Sequence, residues 1–126
     1  QDGGVYDAEF MGSDSYSNLV FLKINAGTLP VISFGNSADS NPGEKVVAIG
    51  SSSETFANRY TAGLISTFDP TFSLSGKAIS NSDKMNGVFQ TDFSIDSEQY
   101  YTGGPVVDYT GQVIGIAGSN QKDFFF

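Results

Sequence analysis

The chain has 126 residues, the size of one domain, and its 39% hydrophobic and 13% aromatic content is enough for a buried core. A net charge of −8 disfavours nucleic-acid backbones and anionic lipid surfaces, and no apolar run approaches the length of a membrane span. There is no Cys and no His, so within this chain there is no disulfide, no thiolate and no imidazole base or zinc ligand, and no cofactor is implied.

In chain order, residues 5–11 and 19–24 read as two strands joined across Gly12-Ser13-Asp14. Asn41-Pro42-Gly43-Glu44 is a turn cluster ahead of a buried-looking strand at 45–49. Residues 59–68 are rich in β-branched and aromatic side chains, and 87–93 make a further strand. Residues 105–108 and 112–116 flank Tyr109-Thr110-Gly111, a hairpin signal. Residues 69–84 are polar and irregular and read as a surface loop, while Met85 and its neighbours suggest one short helical turn. The three Phe of the tail, 124–126, need a surface to pack on. Short strands at this spacing predict an all-β sandwich or barrel.

Several blocks, in order, resemble the trypsin-like serine proteases of the HtrA/Deg family. YDAEFMGSD at 6–14 resembles the strand and turn leading to that family's catalytic Asp, and SNLVFLKI at 17–24 is similar to its SDLAVLKI. FGNS at 34–37 with GEKVVAIG at 43–50, TAGLIS at 61–66 and QTD at 90–92 follow its pattern. So do GGPVVD at 103–108 and GQVIGI at 111–116. The resemblance implies a trypsin-like antiparallel β-barrel fold. Residues 1–30 would be remnant strands of an N-terminal barrel with the interbarrel link, and 31–126 a C-terminal barrel.

The same resemblance implies a degenerate active site. In the family a Ser attacks, a His accepts its proton and an Asp fixes the imidazole, while backbone N–H groups hold the oxyanion. Here the nucleophile position carries Thr102, the triad Asp position carries Asn18, and the oxyanion-hole Gly position carries Tyr100. Threonine keeps a hydroxyl but adds a methyl that restricts χ1 in a tight turn. An amide for the triad carboxylate costs about 10⁴ in turnover; Asn18 also reads as a polar group at a strand start. A β-carbon at Tyr100 opposes the backbone conformation that a Gly allows, and Tyr100 or Tyr101 would fill the oxyanion hole. The stretch before Thr102 is two residues longer than in the family.

Ile116, Ala117 and Gly118 match the strand that pairs with substrate backbone, so peptide binding by β-augmentation would survive the loss of hydrolysis. The same residues read equally as core strand. Asp92, Asp96 and Glu98 fit no calcium-loop spacing, and no metal site is expected. The expectation is a catalytically inactive, peptide- or protein-binding homologue, with an extended peptide or unfolded segment as partner. A missing N-terminal barrel half or an oligomer partner is the other candidate partner. The alternatives are an endopeptidase whose missing half completes the site, and a structural barrel. Localisation, by the same resemblance, is outside the cytoplasm of a bacterium.

Overall fold

The computed structural model describes residues 5–14, 19–51, 58–68, 88–93 and 101–118. By its contacts the chain divides into two units, Gln1–Val31 and Ile32–Phe126. The regular elements among the described residues are all strands, apart from one 3-10 turn, in an all-β fold.

The first unit holds a two-stranded antiparallel hairpin, β1 (Ala8–Asp14) and β2 (Leu19–Ile24). Ala8 faces Ile24, Glu9 faces Lys23 and Phe10 faces Leu22, and the register then slips by one at Met11 so that Gly12 faces Phe21. This bulge corrects one expectation. Gly12-Ser13-Asp14 is not the turn but the end of β1, paired with residues 19–21, and the connection lies in 15–18, outside the described residues. The apolar side chains of the hairpin stay exposed, Phe10 at 64% and Leu22 at 61%.

The second unit is a five-stranded antiparallel sheet of β3 (Lys45–Ser51), β4 (Asn58–Phe68), β5 (Phe89–Thr91), β6 (Pro105–Asp108) and β7 (Val113–Ile116). Its spatial order is β5-β4-β3-β6-β7. Alternation along the strands builds the core. Val46 and Ala48 of β3, Ile65 of β4, Phe89 of β5 and Val106 of β6 point inward and are buried, joined by Ile114 and Ala117. Phe68 packs on Phe89 with ring centroids 5.8 Å apart, so the shortest strand is seated by the largest buried side chain.

Local chemistry explains the turns. Asn36 caps the 3-10 turn Ser37–Asp39, its Oδ1 accepting from the Ala38 N–H at 3.2 Å. At 41–44 the Glu44 N–H donates to the Asn41 carbonyl, and Gly43 takes a φ of +90° that a β-carbon would resist. The β6–β7 connection closes on Asp108. Its Oδ1 accepts from the Thr110 hydroxyl (2.7 Å), the Thr110 N–H (2.8 Å) and the Gln112 N–H (3.0 Å). Residues 33–35 add to the outer edge of β7, with the Gly35 N–H on the Val113 carbonyl and the Val113 N–H on the Ser33 carbonyl.

Candidate functional site

Thr102 lies exposed in a tight turn, 101–104, immediately before β6. The Gly104 N–H closes the turn on the Tyr101 carbonyl at 2.8 Å, and Gly103, third in the turn, has a φ of +80°. The Tyr101 side chain packs against the core cluster, which anchors the turn from beneath. A β-carbon on Gly104 would overlap the backbone carbonyl of Ile49, so glycine here is a demand of β3 pressing close.

The turn is tied to the end of β7. Gly103 N–H donates to the Ala117 carbonyl at 2.7 Å, and Ala117 N–H donates to the Gly104 carbonyl at 2.8 Å. Thr102 and the strand segment 116–118, both singled out in the sequence, are thus held side by side. Because both backbone groups of Ala117 face the turn, the alternation of an extended strand directs those of Ile116 to the other, outer edge. Among the described residues, the segment pairing on that outer edge is 33–35, at Val113, three residues short of Ile116. Ile116 is 37% exposed.

Pro105, which has no N–H, stands opposite Ile116 at the first position of β6. The N–H groups of Gly103 and Gly104 are both spent inside the fold, tying the turn to β7 and closing it. Asn18 and Tyr100 lie outside the described residues, as do Asp96 and Glu98. Among the described residues no group of three or more carboxylates is placed to hold a metal.

Asp92 has a role that sequence reading missed. Its Oδ1 accepts from the Leu64 N–H at 2.6 Å while its own N–H donates to the Leu64 carbonyl at 3.1 Å. The carboxylate stands in for a ladder carbonyl, and it ends the β4–β5 pairing just before the chain leaves for Thr102. Gly63 leaves room for it, since a β-carbon there would overlap the Asp92 carboxylate and meet the Phe93 ring at 2.8 Å. The TAGLIS and QTD motifs held both residues, but nothing in the sequence showed that they meet.

The Gly-Gly-Pro turn that leads into β6 and is tied to the end of β7, in an all-β fold, sits where the trypsin-like peptidase class carries its nucleophile turn, and the family match gives that class. Residues 1–116 match the trypsin-like peptidase domain. The chain is 39% identical over 116 residues to serine protease HTRA1 of Xenopus tropicalis, covering 91% of this chain and 24% of that protein. It is 36% identical over 117 residues to serine protease Do-like HtrB of Bacillus subtilis, covering 91% and 24%. Among solved structures, Deg5 superposes with a TM-score of 0.71 at 28% identity, over 96% of this chain and 55% of that one. The HtrA-type protease AlgW with decapeptide gives 0.76 at 28% identity, over 99% and 38%. This chain therefore belongs to the HtrA/Deg family of trypsin-like proteases, and it spans about a quarter of the length of the relatives it matches.

Proposed function

We propose that this chain is a catalytically inactive HtrA-like module that holds an extended peptide or unfolded protein segment. The observation that carries the reading is Thr102 in the nucleophile position, a hydroxyl hindered by its own methyl in a tight turn. Asn18 in the triad position and Tyr100 in the oxyanion position count the same way. Binding is supported by Ile116, whose backbone groups face the outer edge of β7, and by the likeness to AlgW, whose structure contains a decapeptide. Ile116, Ala117 and Gly118 would form the strand on which the peptide lies, with Ala117 serving internally and its neighbours serving the peptide. We place its work outside the cytoplasm of a bacterium, on the strength of the family alone.

The competing reading is a serine-type endopeptidase in which Thr102 attacks with a base supplied from outside these residues. It is favoured by one observation, the exposure of Thr102 on a turn held against β7. Intact mass after incubation with a fluorophosphonate separates the two. An unmodified protein that binds extended peptides and leaves casein uncut is the expected result. A stoichiometric adduct on Thr102 would overturn the inactive reading.

A further inference from the structure

The carboxylate of Asp92 is exposed, yet it is committed to the backbone of β4. Its Oδ1 accepts from the Leu64 N–H at 2.6 Å and the Asp92 N–H donates to the Leu64 carbonyl at 3.1 Å, so one residue answers both main-chain groups of Leu64. Gly63 leaves open the place that this carboxylate and the Phe93 ring fill. Thr91 is the last residue of β5 to pair with β4, so Asp92 lies one step past the end of the ladder, where a strand end is otherwise prone to fray.

What Asp92 fixes is the seat of Phe93. Phe93 packs against the core cluster, and so does Tyr101 beneath the Thr102 turn. That cluster includes Ala117, whose N–H and carbonyl hold Gly104 and Gly103. Both ends of the connection from β5 to the turn therefore rest on one packed group of side chains, together with the residue that orients the Ile116 edge. We propose that Asp92 is a positioning residue for the peptide edge: by holding Phe93 in the cluster, it keeps the Thr102 turn and Ala117 in the arrangement that directs the backbone groups of Ile116 outward. The inference rests on the peptide-binding reading above. A close-packed cluster passes a displacement on, because it has no free volume to absorb one. Without the carboxylate the Leu64 N–H loses its acceptor, and the first residues past β5 lose their tether. An amide at position 92 keeps an oxygen that accepts, so the position requires an acceptor and not a charge.

The test is fluorescence anisotropy of a labelled decapeptide of alternating Val and Ser, titrated with the intact protein and its variants, with urea midpoints measured alongside. Asp92→Ala is expected to weaken peptide binding about fivefold, and Asp92→Asn to bind as the wild type does. Gly63→Ala keeps Asp92 but puts a methyl where its carboxylate lies, and is expected to weaken binding as Asp92→Ala does. Asp108→Asn is the control. That carboxylate holds the turn at the other end of β6, so its loss is expected to lower the urea midpoint and leave peptide affinity unchanged. Wild-type affinity in a folded Asp92→Ala or Gly63→Ala would overturn the positioning role and leave peptide binding standing. An equal loss of affinity in Asp108→Asn would overturn it too, as a general effect of stability. Failure of the wild type to bind would overturn both readings.

Discussion

Gly103 and Gly104 are neighbours in the Thr102 turn, yet each is required for a different physical reason. Gly103 has a φ of +80° with open space where a β-carbon would sit, so Gly103→Ala meets only the left-handed backbone cost, about 1–2 kcal/mol. Gly104 has no such φ, but an added methyl would overlap the Ile49 carbonyl, which a flexible side chain could avoid and a backbone in mid-sheet cannot. Gly104→Ala is therefore expected to cost more than Gly103→Ala, about 3 kcal/mol, and to pull β6 from β3. Urea unfolding of the two variants checks the ranking, and equal losses would contradict it. Thr91 is the reverse case. Its hydroxyl oxygen is buried without a hydrogen-bond partner among the described residues, so Thr91→Val removes an uncompensated polar group at nearly constant volume. That substitution is expected to raise stability by about 1 kcal/mol, read as a higher urea midpoint.

At the scale of elements, the β6–β7 connection makes stability depend on pH. The Gln112 N–H, then the Thr110 hydroxyl, hold the Asp108 carboxyl below the usual carboxylate range. The unfolded chain thus takes up a proton at Asp108 before the folded one does. The turn's contribution is complete above the unfolded carboxyl's pKa and is lost as pH falls through the lower, folded value. Melting temperatures from pH 7 to pH 2 are expected to show the wild type above Asp108→Asn at neutral pH, with the gap closing in acid. A gap that stays constant would show that Asp108 does not titrate differently on folding.

The hairpin itself was legible in the sequence, because Tyr109-Thr110-Gly111 signals a turn and Gly111 takes the positive φ; the Asp108 carboxylate as acceptor for Thr110 and Gln112 was not read there. Each of the seven described strands likewise overlaps a run read from β-favouring residues and turn signals. The bulge at Met11 was not legible, since an extra residue in one strand shows only once its partner's register is known. Nor was the pairing of Asp92 with Leu64 or of Gly103 with Ala117. Those are contacts of the backbone or to it, between segments distant in sequence, and the residue types do not advertise them.

At the scale of the whole chain, the proposed inactive reading turns on residue types: the Thr102 turn and the end of β7 at Ala117 are tied together, and the departures from the family pattern lie in the side chains at positions 102 and 18. Thr102→Ser would supply the less hindered hydroxyl, and Asn18→Asp the carboxylate that orients an imidazole. Neither supplies the proton acceptor, and these residues contain no imidazole to orient. Triad members act as a unit, so restoring two of three recovers little. The double variant of this chain is expected to leave a fluorogenic casein substrate uncut over a day at neutral pH, while binding extended peptides as the wild type does. Measurable turnover would mean that another group takes the hydroxyl proton. Turnover only on addition of the upstream region of a longer parent would instead mean that the base comes from there, and that Thr102 and Asn18 alone had silenced the site.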